Sequence, residues 1–515
     1  MRRYDAVAIG SGVNSLVAAA LLAKKGWKVC VLERNSWLGG AIRTAEITEP
    51  GFLHEVYSSW HPLFAGSAAY AELKDDLEAR GLEYLNTELA TATLFPDGRS
   101  VFLTTSHEEN VNALGPGWER TVAEFLPNAD IAFGLLGTEL WSRDGAKLGW
   151  KALRRFGRRG LVEFAGKTLR SCRDWTAETF EDERVHGLFA PWVLHTGLGP
   201  DAASSGFMAQ VIGVAIELGG MPVPRGGGVK LVEALRGIVE DAGGACETGR
   251  EVERVLVELD RTTGVRTADG EVIEAARAVL ANVTPQQLYG QLLDGEGPGA
   301  EEARRFRFGR GEMQIHFALS EPPHWQGDAR LGQTAIVHLT PGLDGVSRAV
   351  NEAERGLLPA EATVVVGQPM AVDPSRAPEG AWILWIQLQE VPSRPKGDAA
   401  GELDVSRGWT RKLSEAYADR IQARIAHHAP NFERSILKRV VHSPADQEAA
   451  NPNFVGGDIY AGSCALDQNL IWRPRPGLPG HQTEVERLWH IGASTHPGPG
   501  LGAGSGYLVA KALLK

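Results

Sequence analysis

The chain has 515 residues, 43% hydrophobic and 23% charged, and a formal net charge of −11. This composition is typical of soluble globular proteins and excludes a disordered chain, a collagen-like chain and a small disulfide scaffold. The length predicts two or three folding units. The acidic balance argues against a nucleic-acid partner, because binding to phosphates needs a basic surface.

The cysteines indicate neither disulfides nor a metal site. They form no Cys-x-x-Cys pair and have no histidines at the spacing of metal ligands. The longest apolar stretch near the N-terminus, residues 16–23, is much shorter than the roughly 18 residues of a transmembrane helix. We therefore predict a cytoplasmic protein without a bound metal, and we interpret Arg2-Arg3 as part of the fold rather than as an export signal.

Near the N-terminus the pattern predicts a strand, a glycine turn, a helix and a second strand. An apolar run at 4–9 precedes Gly10-Ser11-Gly12, a helix is predicted over 14–25, and a second apolar run over 27–32 ends at Glu33. This order is typical of the βαβ unit that binds dinucleotides. Glu33 also follows Gly12 at about the 20-residue spacing expected of the acid that binds a ribose hydroxyl.

The residues of this turn have separable roles. Gly10 permits the tight turn and Gly12 lets the backbone approach a pyrophosphate. The positive end of the helix, at Val13 and Asn14, faces that anion. Ser15 occupies the position where a third glycine or alanine is usual, which is a small departure from the pattern. We predict a bound dinucleotide.

Two further glycine-rich segments favour a flavin over a nicotinamide cofactor. Gly39-Gly40 follows soon after Glu33, as expected where a chain runs along an extended FAD molecule. Near the C-terminus a strand, a glycine-dense loop over 492–506 and a helix over 507–514 repeat the anion-binding arrangement. Such a helix N-terminus stabilises the negative charge that a flavin ring gains on reduction. A second glycine fingerprint with its own acid is missing, which argues against NAD(P).

The rest of the chain alternates between helical and strand-like periodicity, which predicts two interleaved domains. We predict an α/β fold in which a Rossmann-type FAD-binding domain is interleaved with an α+β substrate domain. The predicted FAD-binding domain comprises residues 1–104, 218–299 and 446–515. The predicted substrate domain comprises residues 105–217, which are mostly helical, and 300–445.

The sequence resembles the phytoene desaturase-like branch of the FAD-dependent amine oxidase and phytoene dehydrogenase superfamily. This superfamily includes bacterial carotenoid desaturases and pyridine nucleotide-disulfide oxidoreductase domain proteins. The resemblance rests on Gly-Ser-Gly-Val-Asn-Ser-Leu at 10–16, Gly39-Gly40, Pro-Arg-Gly-Gly-Gly at 224–228, Val252 and Gly-Ala-Ser-Thr-His-Pro-Gly-Pro-Gly at 492–500. It extends over nearly the whole chain and is weakest where the substrate would be selected. It implies the two-domain fold shared by amine oxidases and GDP-dissociation inhibitors.

The resemblance also implies which residues bind FAD. Glu33 would lie on the adenosine ribose, Gly39-Gly40 beside the phosphates, and Val252 against the adenine. The C-terminal loop would contact the ribityl chain and the isoalloxazine ring. The full predicted set is Gly10, Gly12, Val13, Asn14, Ser15, Glu33, Arg34, Gly39, Gly40, Arg43, Val252, Gly492, Ala493, Gly500, Leu501 and Gly502.

Three histidines are the predicted catalytic residues. Hydride transfer is performed by the flavin itself, so the protein supplies orientation, a dry cavity and a base. His61 follows a polar-aromatic stretch expected near the flavin, His195 ends a predicted helix, and His496 lies in the C-terminal loop. For each of them, a histidine bonded to the backbone is the alternative. We interpret His316 as a core residue because it alternates with apolar residues in a strand.

Tryptophans and a basic segment offer two more hypotheses. Trp60, Trp192, Trp382 and Trp385 would wall an apolar substrate tunnel, although we favour core packing for each. Residues 147–170 carry eight basic residues and one acid, interleaved with aromatic residues. Such a stretch predicts peripheral contact with an anionic membrane, and a solvated helix face is the alternative.

We therefore predict an FAD-dependent oxidoreductase that removes hydride from an apolar or amphipathic small molecule, such as a carotenoid, another isoprenoid or a secondary metabolite. The predicted electron acceptor is dioxygen or a quinone. Two alternatives stay open. One is a redox-neutral flavin-dependent isomerase, and the other is a non-enzymatic lipid- and GTPase-binding protein of the GDP-dissociation inhibitor type.

Overall fold

A computed structural model of the protein describes residues 2–295, 299–474 and 480–515. Two seven-stranded sheets organise the chain. The first contains the strands predicted on either side of the N-terminal glycine turn, and the second contains the alternating strands of the later sequence. A large cavity lies between these two parts of the molecule, and residues from both of them line it.

The first sheet has a parallel centre. The strand Arg2–Ile9 lies between Val29–Leu32 and Val272–Asn282, and it is parallel to both. Val29–Leu32 pairs with Ala245–Glu247, while the end of Val272–Asn282 pairs with Leu488–Ile491, again in parallel. The antiparallel strands Val252–Glu258 and Arg261–Thr267 complete the edge. The N-terminal and C-terminal glycine loops therefore leave the same edge of one sheet, as in dinucleotide-binding folds.

The second sheet is mostly antiparallel. Its strands, in spatial order, are Ile436–His442, Gly311–Leu319, Trp382–Val391, Val364–Gly367, Ile336–Leu339, Thr91–Leu94 and Ser100–Leu103. Thr91–Leu94 is parallel to Ile336–Leu339. Both it and Ser100–Leu103 precede residue 104, where we predicted the first FAD-binding segment to end, yet they pair with the second sheet. The division into domains stays a prediction, and this pairing argues against its first boundary.

Helices cover both large sheets, and short two-stranded sheets lie outside them. The α-helices are Val13–Ala23, Pro62–Ala65, Ala68–Glu78, His107–Leu114, Pro116–Phe125, Ala129–Gly137, Arg143–Thr168, Cys172–Thr179, Glu183–Leu194, Ser205–Gly219, Val229–Asp241, Pro285–Gln287, Ala300–Arg305, Leu343–Glu354, Arg411–His428, Phe432–Ser435, Pro444–Ala450 and Gly504–Leu513. The short pairs are Thr44–Ala45 with His54–Glu55, Tyr84–Leu85 with Val223–Pro224, and Leu357–Leu358 with Gly397–Asp398. Within the described ranges, no helix is long and apolar enough to cross a lipid bilayer.

Residues 105–219 contain seven α-helices and no strand in the structure, where we predicted a mostly helical segment over 105–217. The helix Val13–Ala23 is buried along its whole length, since it packs against the first sheet and against neighbouring helices. One face of the second sheet packs on the helix Arg411–His428 through apolar residues such as Ile315, Leu384 and Ile386. Its other face turns toward the helical segment and the cavity.

Candidate functional site

The cavity between the two sheets has a volume of about 1240 Å³. Small-molecule sites typically have about 300 to 1,000 Å³ and occur at domain boundaries and at the ends of parallel strands. This cavity exceeds that range and satisfies both positional criteria. It therefore has room for an extended cofactor together with a substrate.

Glycines at the end of the first strand form one wall of the cavity. Gly10 has a φ of +83°, and the helix begins at Val13 directly after Gly12. Gly40, at a φ of +60°, packs so closely that an added Cβ atom would lie 3.0 Å from the Cα atom of Gly12. Gly10, Gly12, Val13, Gly39 and Gly40 all line the cavity. The bare backbone and the positive helix end form a cradle that suits a pyrophosphate.

Glu33 holds a fixed carboxylate at the edge of this cradle. Its Oε2 accepts hydrogen bonds from the backbone N–H of Ser11, at 3.0 Å, and from the Ser11 hydroxyl, at 2.7 Å. Its Oε1 accepts from the N–H of Asn35 at 2.9 Å. The residue is 6% exposed and lines the cavity. A carboxylate oriented in this way has the remaining acceptor capacity to bind ribose hydroxyls.

Ser15, at the departure from the usual pattern, lies behind the cradle. It is fully buried, and within the described chain it is absent from the cavity lining. Its hydroxyl accepts a hydrogen bond from Asn282 Nδ2 at 3.0 Å. The serine therefore fastens the helix to the end of the strand Val272–Asn282, a role that a third glycine could not perform.

The C-terminal loop meets the N-terminal cradle directly. The Gly506 N–H donates to Asn14 Oδ1 at 3.0 Å, and an added Cβ atom at Gly506 would collide with the carbonyl oxygen of Asn14. Gly492 packs beside Asn282 and, in the part of the chain described, lies outside the cavity lining. Other residues of this loop that we predicted at the cofactor do line the cavity: Ala493, Gly500, Leu501 and Gly502.

Two of the remaining predicted cofactor residues, Arg34 and Val252, also line the cavity. Arg43 does not, among the residues described, because its guanidinium lies 3.8 Å from the ring centroid of Trp37. Thus the predicted cofactor residues that lie outside the cavity lining are Ser15, Arg43 and Gly492. Contact of each predicted residue with the cofactor stays a prediction.

Of the three predicted catalytic histidines, His195 is the one that lines the cavity. His61 is buried beside Tyr84, with Nδ1 lying 3.1 Å from the tyrosine oxygen, and burial lowers its pKa to about 3. His496 Nε2 donates to the carbonyl oxygen of Thr138 at 2.9 Å, and burial lowers its pKa to about 4. His496 thus matches the alternative of a histidine bonded to the backbone, whereas His61 contacts a side chain; a catalytic role for either stays a prediction.

His195 belongs to a buried pair of histidines. Its Nε2 lies 3.2 Å from Nε2 of His338, and its ring lies 4.6 Å from that of Trp192. Burial lowers the pKa of His195 to about 3 and places the pKa of His338 well below its usual value. Both rings are therefore neutral near pH 7. His316, interpreted as a core residue, is fully buried beside His54 and His442.

The second sheet and the helices after residue 105 form the other half of the cavity. Trp60 and Trp385 pack edge to face, with centroids 5.3 Å apart, and Trp192 lines the same cavity. These three tryptophans belong to the core and also line the cavity, whereas Trp382 lies outside the lining within the described chain. The further apolar lining residues include Met208, Val211, Ile212, Ile216, Met221 and Ile336.

Four polar residues that the sequence analysis did not identify interrupt this apolar wall. We call Glu312, Gln314, Gln387 and Gln389 the polar quartet; all four line the cavity and are at most 6% exposed. Burial raises the pKa of Glu312 to about 8. The sequence does contain a signal for these residues, since they are polar residues at every second position of two otherwise apolar strands.

Comparison with known proteins agrees with this geometry. The family model for flavin-containing amine oxidoreductases matches residues 16–351. The chain is 27% identical to the mouse pyridine nucleotide-disulfide oxidoreductase domain-containing protein 2, over 99% of this chain and 93% of that protein. It is 24% identical to one of the polypeptides of the limonene dehydrogenase of Castellaniella defragrans, over 99% and 94%. It is also 24% identical to the neurosporene-forming phytoene desaturase of Cereibacter sphaeroides, over 98% and 94%.

The fold has solved counterparts as well. The crystal structure of an oxidoreductase from Methanosarcina mazei superposes with a TM-score of 0.64 at 16% identity, covering 99% of this chain and all of the other. This likeness confirms the predicted two-domain amine oxidase fold, and the family match confirms FAD as the cofactor. The chain belongs to the family of flavin-containing amine oxidoreductases.

Proposed function

We propose that this FAD-dependent oxidoreductase dehydrogenates an apolar or amphipathic small molecule by removing a hydride from carbon. The observation that carries the proposal is one continuous cavity with two unlike halves. One half is a glycine cradle with a fixed carboxylate, and the other is a wall of tryptophans and aliphatic side chains. A cofactor in the first half would face a substrate in the second.

The residues of the first half fit FAD. A Cβ atom at Gly12 would lie 2.9 Å from Asn282 Nδ2 and one at Gly40 would lie 3.0 Å from Gly12 Cα, so this wall is kept as bare backbone, which suits a pyrophosphate, and Glu33 suits a ribose. Val252 and Arg34 would lie beside the adenine end, with Leu501 and Gly502 toward the ring. When bound, FAD supplies the ring that accepts the hydride.

The protein's own contribution to the reaction is to hold the substrate and keep water out. Trp60, Trp192 and Trp385 supply large rigid apolar surfaces. His195 presents a neutral ring to the cavity, backed by His338. Because the pKa of His195 lies far below its usual value, its neutral ring is better suited to hydrogen-bond a substrate than to act as a base that takes up a proton.

For the electron acceptor we propose dioxygen or a quinone, since both are uncharged and suit an apolar cavity. The family match and the names of the three relatives favour an oxidoreductase over the isomerase and over the GDP-dissociation inhibitor type. Cytoplasmic location stays a prediction.

We further propose that the helix Arg143–Thr168, which is kinked at Gly157, contacts an anionic membrane. Trp150 and Val162 are 62% and 73% exposed on it, beside Arg154 and Arg158, which have no ion-pair partner among the described residues. Other basic residues of the segment are paired, and the sequence analysis missed their partners from elsewhere in the chain: Asp130 for Lys151 and Arg155, Glu124 for Lys167, and Glu178 for Arg170.

The position of this helix relative to the cavity supports the membrane proposal. The helix Ala129–Gly137 packs against it so closely that a Cβ atom at Gly134 would lie 2.8 Å from Leu148 Cδ1. Phe133 and Leu136, on that same helix, line the cavity, and Phe133 is 41% exposed. An apolar substrate leaving a bilayer at this helix would meet the cavity directly.

Anaerobic reduction of the bound flavin tests the proposed reaction. Purified holoprotein is mixed without oxygen with apolar terpenoids and with long-chain alcohols and amines, and the oxidised flavin bands are followed. We expect at least one of these classes to bleach the bands. A flavin that dithionite reduces and that every one of these compounds leaves oxidised would contradict the proposal.

A further inference from the structure

The polar quartet forms one continuous patch on the cavity side of the second sheet. Gln314 and Gln387 are direct cross-strand partners, and Glu312 and Gln389 lie two residues along from them on the same face. The intervening residues, such as Met313 and Leu388, face the opposite core. The patch therefore interrupts an apolar wall at one place, and it is built on rigid strands.

Hydrogen bonds inside the patch fix the orientation of two of its amides. Gln314 Nε2 donates to the Tyr57 carbonyl at 3.0 Å and to Glu312 Oε1 at 2.9 Å. Gln389 Nε2 donates to the Tyr460 hydroxyl at 3.1 Å, and that hydroxyl donates to the Leu194 carbonyl at 2.6 Å. Both amide nitrogens face acceptors, so each amide oxygen is turned the other way.

Three oxygens of the patch consequently lack a partner within the described chain: Glu312 Oε2, Gln314 Oε1 and Gln389 Oε1. The two amide oxygens are hydrogen-bond acceptors at any pH, whereas Glu312, whose pKa burial raises to about 8, is mostly protonated near pH 7 and accepts through both oxygens only when it is ionised. Buried polar atoms without partners are costly, and they mark places where a water or a ligand supplies the missing bond. What the two amide oxygens lack is a donor.

The surroundings of Glu312 disfavour a negative charge at the patch. Burial raises its pKa, Gln387 and Gln314 oppose that rise, and the buried carboxyl of Asp458 adds to it. Arg310, the nearest basic residue in sequence, is engaged with Glu354 and with the carbonyl oxygens of Gly197 and Leu198. The patch thus disfavours an anion, and its two unpartnered amide oxygens favour a donor.

We propose that the polar quartet binds a hydrogen-bond-donating head group, a hydroxyl or an amino group, at one end of an otherwise apolar substrate. The inference rests on the proposed function, because it assigns the substrate end of the same cavity. A pure hydrocarbon would leave the three oxygens unpartnered, and a carboxylate would bring a negative charge to two amide oxygens and to a buried carboxyl that already resists ionisation. A site built to hydrogen-bond one group discriminates strongly against analogues that lack it.

Binding to the holoenzyme of four ligands with one chain length tests this proposal: dodecanol, dodecylamine, dodecane and dodecanoate. Dissociation constants are measured from the perturbation of the bound flavin spectrum, so the readout does not require turnover. We expect dodecanol or dodecylamine to bind at least about tenfold more tightly than dodecane and dodecanoate. A preference for the amine identifies an ammonium group as the donor, and equal binding of amine and alcohol identifies a neutral donor.

Equal affinity for all four ligands, or tightest binding of dodecane or dodecanoate, would overturn the inference. Failure of the proposed function gives a different result, namely a flavin that no compound reduces. The two failures are therefore distinguishable in one preparation.

Variants locate the preference on the patch. Glu312→Gln keeps the side-chain shape and removes the carboxyl group, and we expect it to reduce the preference for the amine about tenfold. Gln389→Met removes a second acceptor and serves if Glu312→Gln folds poorly. Glu390→Gln is the matched control, because Glu390 is also fully buried with a raised pKa but faces the opposite side of its strand, toward Thr363. Preference retained in both test variants, or lost equally in Glu390→Gln, would contradict the assignment.

Discussion

The two halves of the cavity differ in the chemical groups that line them. The cofactor half presents backbone; a Cβ atom at Gly40 would crowd Gly12, and one at Gly506, where the C-terminal helix packs beside Asn14, would collide with the Asn14 carbonyl. The substrate half presents side chains from strands and helices that are distant in sequence, such as Trp192 and Gln389. A requirement on the backbone leaves a recognisable local pattern in the sequence, whereas a wall of side chains is defined only once the fold brings it together.

The variant with the largest expected effect on the cofactor half is Gly40→Val. The variant places a branched side chain at a φ of +60° and against Gly12, so we expect FAD affinity to fall on the order of 100-fold. Titration of the apoprotein with FAD measures the loss. Gly166→Ala is the control, since a Cβ atom there meets nothing within 4 Å. Unchanged FAD affinity in Gly40→Val would show that the glycine cradle does not hold the cofactor.

Glu33→Gln tests the carboxylate that completes the cradle. The amide keeps the shape but loses the charge that binds ribose hydroxyls, so FAD affinity should fall roughly 30-fold, in line with a hydrogen bond to a charged group. The same titration serves here, with Glu253→Gln as the surface control, whose partner is Arg266. Equal losses in the two variants would show that the effect is one of general charge.

A pH experiment tests whether His61 is a core residue. Burial lowers its pKa from 6.5 to about 3, so below pH 6.5 the unfolded chain takes up a proton that the folded protein does not. The contribution of His61 to the free energy of unfolding is therefore fully present above pH 6.5 and is lost as the pH falls toward 3. Between pH 7 and pH 5 this one group should cost about 2 kcal/mol of unfolding free energy.

Thermal unfolding of the wild type and of His61→Gln at those two pH values measures the contribution. Whatever the overall stability of the variant, its melting temperature should fall less between pH 7 and pH 5 than that of the wild type. An identical pH dependence in both proteins would mean that the fold leaves the pKa of His61 unchanged, as expected of a group accessible to solvent.

The smallest expected effect concerns the membrane surface outside the cavity. Replacing Arg158 with alanine removes one exposed cation and should weaken co-sedimentation with anionic vesicles about fivefold, since one basic residue contributes about 1 kcal/mol. Arg411→Ala is the control, because Arg411 is exposed on the helix behind the second sheet. Binding that is unchanged in Arg158→Ala and equally strong to uncharged vesicles would contradict membrane contact through charge.

The sequence predicted the cofactor half closely because each element there is local. The strand, turn and helix around Gly10 and Gly12 lie within one short segment, and thirteen of the sixteen predicted cofactor residues line the cavity. Ser15 is an instructive exception, since its partner Asn282 is distant in sequence and only the fold brings the two together. The resemblance to a known family located the C-terminal loop for the same reason.

The substrate half could be predicted only in outline. The tryptophans were recognised, but periodicity cannot separate a core residue from a cavity wall, and Trp60 and Trp385 serve as both. The histidines were chosen for their loops, whereas His61 and His496 are directed into packed surroundings by hydrogen bonds that no local pattern encodes. The polar quartet needed the pairing of two strands about 70 residues apart to become visible.

The most direct test of the flavin site is the absorption spectrum of the purified protein, repeated on the supernatant after heat denaturation. We predict oxidised flavin bands at close to one FAD per chain, with intact FAD released into the supernatant. A colourless protein that takes up no added FAD would contradict the claim that the glycine-lined half of the cavity is a flavin site.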